Sequence, residues 1–146
     1  MSALEVEPEI ELVGPWPAAQ VPTAWRAVVE HVDRANARSG GRYSSKATLH
    51  ALMSGRMQLW TVEKGGRTLS CAITELITYP TGLTVCSLVA VTGQHRHEWT
   101  DAWRNIAEWA KGHGALRLES WARPGWSRVM KKDGWKETHR LIEVEI

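Results

Sequence analysis

Phenylalanine is absent from this 146-residue sequence, cysteine occurs only twice, and long hydrophobic runs are missing. No segment approaches the roughly 18 consecutive apolar residues of a membrane-spanning helix, so we predict no membrane partner. Both cysteines fall in strand-like patterns, which indicates unpaired core thiols in a reducing cytoplasm. The amino terminus is rich in glutamate and lacks a cationic start before an apolar stretch, so we predict that the chain is not secreted.

The net charge and composition indicate a globular protein but do not identify a ligand. A net charge of +2 is too small to imply a nucleic acid or an acidic membrane by itself. With 43% apolar and 23% charged residues, the chain is typical of one globular domain spanning residues 1–146. Residues 1–17 read as an extended arm or edge strand followed by a Pro-rich turn. Nine tryptophans hint at an interface, where this residue is enriched.

The centre of the chain has the pattern of a β-α-β unit. An apolar strand at residues 83–91 is followed by a polar turn at 92–97, an amphipathic helix at 98–113 and a strand at 115–119. Such units join parallel strands through a right-handed crossover. A ligand is therefore expected where the first strand ends and the helix begins, because backbone N–H groups there lack intrahelical partners.

A β-hairpin precedes this unit. Its strands, 67–79 and 83–91, are joined by a Pro-Thr-Gly turn in a register that places Glu75 opposite Ser87. The remaining predicted elements are helices from Pro22 to before Ser39, from Ser44 or Ser45 to before Gly55, and over 124–132, and strands at 57–63 and 135–146.

This order of elements resembles the GNAT (GCN5-related N-acetyltransferase) fold over nearly the whole chain. The resemblance implies an α/β (α+β) domain with a mixed, twisted central sheet and helices on both faces. Trp109-Ala-Lys111 with Gly114 looks like the end of the family's long central helix. Met130-Lys-Lys-Asp-Gly134-Trp135 takes the place of its Y-x-x-x-G-F ending.

Active members of that family bind acetyl-CoA through a Q/R-x-x-G-x-G/A loop, whose glycines let the backbone approach a pyrophosphate. The alignable stretch runs from Gln94 to Trp99, and the two glycine positions hold His97 and Trp99. Glu98 adds a charge of the same sign as the phosphates. The family's usual general acid, a tyrosine, falls at Met130. These departures predict a catalytically degenerate protein with no cofactor.

Within the family, the chain resembles small GNAT-like proteins of tailed bacteriophages, including internal virion and head-tail associated proteins. The motifs that carry this likeness are Met57-Gln-Leu-Trp60, the Tyr79-Pro80 hairpin, the predicted helix with Trp99, Trp103 and Trp109-Ala-Lys111, and Ala122-Arg-Pro-Gly-Trp126. The resemblance implies a virion or assembly component, located in the virion or the host cytoplasm, that contacts other virion proteins. Packaged DNA is a further partner under this interpretation, and self-association is left open.

The alternative is a working acetyl-CoA-dependent N-acyltransferase. Glu75 or Glu119, acting through water, would then be the base, although a self-satisfied polar pair is the simpler interpretation of Glu75 with Ser87. His95 and His97 are treated as loop residues, so no metal site is predicted. If the chain is active, the resemblance assigns cofactor binding to Val89, Val91, Gly93, Gln94, His95, Arg96, His97 and Glu98.

A basic and aromatic contact patch follows the β-α-β unit. It consists of Trp121, Arg123, Trp126, Arg128, Lys131 and Lys132. Basic residues among aromatic ones suit nucleic-acid contact, and Trp with Arg also anchors protein interfaces. A solvated helix face with core tryptophans is the third interpretation.

Overall fold

A computed structural model describes residues 9–93, 102–122 and 124–146 of the chain. The strands are β1 (Ile10–Val13), β2 (Met57–Lys64), β3 (Arg67–Thr78), β4 (Thr84–Gly93) and β5 (Arg117–Glu119). The α-helices are α1 (Val21–Asn36), α2 (Ser45–Met53), α3 (Ala102–Gly112) and α4 (Pro124–Met130), and short 3₁₀ turns occur at Ala18–Gln20 and Lys131–Asp133.

The first two helices begin and end close to where the sequence predicts. Pro22 lies at the start of α1, where its missing N–H removes no intrahelical hydrogen bond. Ser44 caps α2, because its side-chain oxygen accepts a hydrogen bond from the Ala47 backbone N–H at 3.1 Å. The predicted helix at 98–113 is observed over Ala102–Gly112, and residues 98–101 of that prediction lie outside the described residues.

The five strands form one sheet in the order β1-β2-β3-β4-β5. The first four strands pair antiparallel, and β5 pairs parallel to β4, which confirms the β-α-β prediction. Glu75 pairs with Ser87 as predicted. The predicted amino-terminal edge strand is present over Ile10–Val13, on the far side of β2.

Helices cover both faces of the sheet, as expected for the predicted architecture. On one face α1 and α2 pack with Leu59, Cys71 and Ile73 in one buried cluster. On the other face α3 packs through Ile106 and Ala110 against residues that include Trp60. Alternate residues of β2 thus enter opposite layers, as the period-2 pattern requires.

The predicted strand over residues 135–146 is wrong. That segment has no regular secondary structure, and all its residues after Trp135 are exposed. Its alternating sequence suits a strand, but a strand persists only where a neighbour satisfies its backbone groups. In the described part of the chain, no strand pairs with it.

The structure also bears on the predictions about membrane-spanning helices and about the two cysteines. In residues 9–93, 102–122 and 124–146, no helix is long and apolar enough to cross a membrane. Cys71 and Cys86 are buried and unpaired, as predicted.

Candidate functional site

Strand β4 is much longer than its parallel partner β5. Their parallel ladder covers three residues of each strand and ends where Ser87 pairs with Glu119. β4 continues to Gly93, so its outer edge over residues 88–93 has no strand partner in the described part of the chain. At the start of this open stretch, the Ser120 hydroxyl donates a hydrogen bond to the Leu88 carbonyl at 3.1 Å. The open edge presents backbone groups that an extended ligand can bind.

A β-bulge lies at the same point. Ile73 of β3 pairs with Ala90, whereas the next residue, Thr74, pairs with Leu88, so Val89 is an extra residue in β4. A bulge bends its strand and re-aims neighbouring backbone groups, and bulges are common beside active sites. The bulge therefore lies just beyond the last pair of the β4–β5 ladder.

Buried hydrogen bonds fix the strand opposite the bulge. Thr74 is fully buried, and its hydroxyl accepts a hydrogen bond from Trp60 Nε1 at 3.0 Å. The same hydroxyl donates to Gln58 Oε1 at 2.8 Å. Because these bonds join β2 to the bulged part of the β3–β4 hairpin, they stabilise the register on which the geometry of the open edge depends.

Two carboxylates lie in one row at this junction. Glu75, Ser87 and Glu119 are directly opposite one another across β3, β4 and β5, and their side chains therefore share a face of the sheet. This is the face covered by α1 and α2, since Ile73, two residues before Glu75, packs in that cluster. Glu75 and Glu119 are separated by two inter-strand spacings, roughly 10 Å.

Tyr79 joins this row from the β3–β4 turn. Its hydroxyl donates a hydrogen bond to Glu119 Oε1 at 2.6 Å. The bond to Glu119 is the main cause of the raised pKa of the Tyr79 phenol, which therefore remains a proton donor at neutral pH. Sequence reasoning assigned Tyr79 no chemical role, because 40 residues separate it from its partner.

The described cysteines cannot act as nucleophiles. Burial raises the pKa of the Cys71 thiol to about 12 and that of Cys86 to about 11. Both thiols are consequently protonated at neutral pH and inaccessible to a substrate.

Only some of the predicted cofactor-binding residues can be located. Val89 is the bulge residue, Val91 lies on the open stretch of β4, and Gly93 ends that strand. The others, Gln94, His95, Arg96, His97 and Glu98, lie outside the described residues, so the predicted obstruction of a diphosphate stays a prediction. No group of three or more potential metal ligands occurs among the described residues.

Met130 occupies a buried position at the end of α4, with 9% of its surface exposed. The Trp135 backbone N–H donates to its carbonyl at 3.3 Å, which ties the following turn to the helix. A thioether cannot donate a proton, so α4 supplies no general acid at this position.

Most members of the predicted contact patch can be located in the structure. Trp121 is 73% exposed, and Arg128, Lys131 and Lys132 are exposed on α4 and the turn after it. Trp126 is half-buried, whereas Arg123 lies outside the described residues. Contact with nucleic acid or protein through this patch stays a prediction.

Among the comparisons with known proteins, only the comparison with solved structures is informative, and it concerns the fold. No protein-family model matches the sequence, and no curated protein matches it significantly. Solved structures do match, and acetyltransferases are among them. The aminoglycoside N-acetyltransferase AAC(6')-Iy in complex with CoA is 14% identical with a TM-score of 0.64, and the match covers 99% of both chains.

Two other similar structures point the same way. A predicted acetyltransferase from Clostridium acetobutylicum with acetyl-CoA is 12% identical with a TM-score of 0.63, over 94% of this chain and 95% of that one. An aminoglycoside acetyltransferase from an uncultured soil metagenomic sample, in complex with sisomicin, is 7% identical with a TM-score of 0.65 and the same coverage. Nothing in these comparisons links the chain to phage proteins. The chain therefore has the GNAT acetyltransferase fold, as its order of elements predicted.

Proposed function

We propose that this protein is an acetyl-CoA-dependent N-acyltransferase. The observation that carries the proposal is the stretch of β4 from the Val89 bulge onward, which has no strand partner on its outer side in the described part of the chain, with Glu119 at the last ladder position before it. An extended donor molecule and a proton acceptor for its reaction would meet there. This was the alternative interpretation of the sequence, and the geometry and the similar structures favour it over a non-catalytic virion component.

The donor would lie along the open edge of β4. Residues 88–93 have backbone groups without a strand partner in the described part of the chain, which suits a ligand built of successive amides. The donor supplies an acyl group activated as a thioester. A backbone N–H at the bulge would polarise the thioester carbonyl, which requires a fixed donor rather than a particular side chain.

Glu119 would accept the proton of the attacking amine, directly or through water. Of the two candidate carboxylates, Glu119 is in the last paired position before the open stretch of β4, whereas Glu75 lies between Met57 and Ser87 inside the sheet. The Tyr79 hydroxyl fixes the orientation of the Glu119 carboxylate. An oriented base within reach of the amine is the basic requirement for general base catalysis.

The missing general acid at Met130 does not prevent this reaction. The leaving group is a thiol, and for comparison the thiol of free cysteine has a pKa of about 8.5. A thiolate is therefore a far better leaving group than an alkoxide or an amide, and protonation during its departure is less important. The thiolate would leave without protonation, stabilised by backbone dipoles along the open stretch of β4, while Glu119 takes the proton of the amine.

Calorimetric titration with acetyl-CoA tests the donor site. We expect micromolar binding, competition by free CoA and no comparable binding of ATP, which controls for nonspecific attraction of a polyphosphate. We also expect release of thiol when small primary amines are supplied as acceptors. Silence up to millimolar acetyl-CoA would mean that His97 and Trp99 obstruct the diphosphate, as the sequence predicted, and would remove the enzyme assignment.

Removal of the Tyr79 hydroxyl tests how Glu119 is held. Tyr79→Phe should lower kcat about 3- to 10-fold with little change in the KM for acetyl-CoA, since one hydrogen bond to a charged group is lost at an exposed position. The matched control is the same substitution combined with Glu119→Gln. If Tyr79 acts through Glu119, the two effects are strongly non-additive. Independent, additive losses would contradict this role.

A further inference from the structure

Exposed cations form a basic surface at the end of α4. Arg128 lies in α4, Lys131 and Lys132 lie in the 3₁₀ turn that continues it, and Lys136 follows. The first three are spaced three and four residues apart, so they project to the same side of this helical segment. All members of the basic surface are exposed, and none has an ion-pair partner in the described part of the chain.

The acidic residues beside this surface are paired with other cations. Asp133 forms an ion pair with Arg104 at 3.1 Å, and Glu137 forms one with Arg140 at 2.8 Å. The basic surface therefore keeps its positive charge. Unpaired charge of one sign on one side of a domain attracts a partner of the opposite sign and accelerates its association.

Two contacts attach the basic surface to the beginning of α3. One is the ion pair between Arg104 and Asp133. In the other, the rings of Trp103 and Trp135 meet edge to face, with their centroids 5.4 Å apart. Trp103 and Arg104 directly follow Ala102, the first residue of α3, so the basic surface lies beside that end of the helix.

The beginning of α3 lies toward the Gly93 end of β4. α3 returns the chain from the end of β4 to the start of β5, which is parallel to β4, so the helix runs in the opposite direction to both strands. Val91 and Ala102 accordingly belong to one apolar cluster. An acyl-bearing arm along the open stretch of β4, with its thioester at the Val89 bulge, therefore emerges on the side of the basic surface.

Two kinds of donor present such an arm. Coenzyme A and acyl carrier proteins both hold an acyl group on phosphopantetheine, whose amides suit the edge of a strand. In CoA the arm continues into a nucleotide diphosphate, whereas in a carrier protein it ends in one phosphodiester on an acidic protein surface. The sequence after Gly93 has His97 and Trp99 where a close-fitting diphosphate loop has glycines. A donor without a diphosphate does not need those glycines.

We infer that the basic surface docks an acidic acyl carrier protein, and that the thioester on this protein is a better donor than acetyl-CoA. The inference rests on the proposed function, because the arm occupies the same open stretch of β4. The chemistry of transfer is also the same. The acceptor nitrogen bonds to the acyl carbon, Glu119 takes the proton of the amine, and the C–S bond breaks to leave a thiolate on the arm of the carrier protein.

A comparison of donors tests the inference. With a small primary amine as acceptor, kcat/KM is measured for acetyl-loaded acyl carrier protein, for acetyl-CoA and for acetyl-pantetheine, which keeps the arm but has no phosphate. At low salt the carrier protein should exceed acetyl-CoA about tenfold or more, and this advantage should shrink as the ionic strength rises. A carrier protein that is no better than acetyl-CoA overturns the inference and leaves the proposed function intact. Absence of transfer from all these donors refutes both.

Charge reversal tests where the carrier protein docks. Lys131→Glu combined with Lys132→Glu should lower kcat/KM for the carrier-borne donor about tenfold or more and leave that for acetyl-pantetheine unchanged. The matched control is Arg26→Glu combined with Lys46→Glu, which changes the net charge equally at exposed positions on α1 and α2, across the sheet from α3. It should have little effect. Circular dichroism of each variant establishes that it is folded.

Three results of the charge reversal would overturn the inference. Full activity of the Lys131 and Lys132 variant with the carrier protein would show that the surface docks nothing relevant to transfer. An equal loss with acetyl-CoA would show that the lysines bind nucleotide phosphates. Loss of binding to a single-stranded DNA oligonucleotide, with unchanged use of the carrier protein, would assign the surface to nucleic acid instead.

Discussion

Replacement of Glu119 by glutamine is expected to lower the kcat of N-acyl transfer on the order of 100-fold or more. Glutamine keeps the size of the side chain and accepts the Tyr79 hydrogen bond, but it cannot take a proton from the attacking amine. Loss of a general base usually reduces the rate by about 10²- to 10⁴-fold. Steady-state kinetics with a primary amine acceptor would measure kcat, and the KM for acetyl-CoA should change little because Glu119 is not assigned to donor binding.

Glu108→Gln is a matched control, since Glu108 is exposed on α3, on the opposite side of the sheet from Glu119. It should retain wild-type kcat. Glu75→Gln serves as the second comparison, because Glu75 is in the same row. A full loss with Glu75→Gln together with an active Glu119→Gln would assign the base to Glu75 and contradict the role given to Glu119.

Leu59→Ala is expected to have the largest effect on stability. Leu59 is fully buried on β2, in the cluster that joins the sheet to α1 and α2. Truncation removes apolar contacts and leaves a cavity that packed neighbours fill only partly. The free energy of unfolding should fall by about 2–5 kcal/mol, measured from the midpoint of urea denaturation.

The control for this substitution is Met53→Ala. Met53 ends α2 with 49% of its surface exposed, so its truncation should change the free energy of unfolding by less than about 1 kcal/mol. Equal effects of the two substitutions would mean that the cluster between the sheet and the first two helices contributes little to stability.

Much of the fold was predictable because its signals are local. The turn at residues 80–82 and the alternation of its flanking strands set the register that pairs Glu75 with Ser87. Ser44 marked the start of α2 through its capping role. The last strand was predicted wrongly because its formation depends on a non-local contact. Alternation at residues 141–146 defines a strand's faces, but the existence of a strand depends on a partner that no local pattern specifies.

The candidate site was less predictable than the fold. Both candidate carboxylates were identified, but the bulge at Val89 was not, since it lies in a run of apolar residues whose pattern tolerates one extra residue. The contact between Tyr79 and Glu119 likewise depends on how the hairpin and β5 are brought together in the sheet. No short motif encodes either feature.

The burial of Cys71 and Cys86 has a consequence for the fate of an acyl group. The thiolate is the nucleophilic form of cysteine, so an accessible thiolate could take the acyl group of a thioester donor onto the protein itself. Both thiols lie within the sheet layers and are held protonated by burial. Under the proposed function, this burial would protect the protein from self-acylation at Cys71 and Cys86 and would leave the acceptor amine and water as competitors for the acyl group.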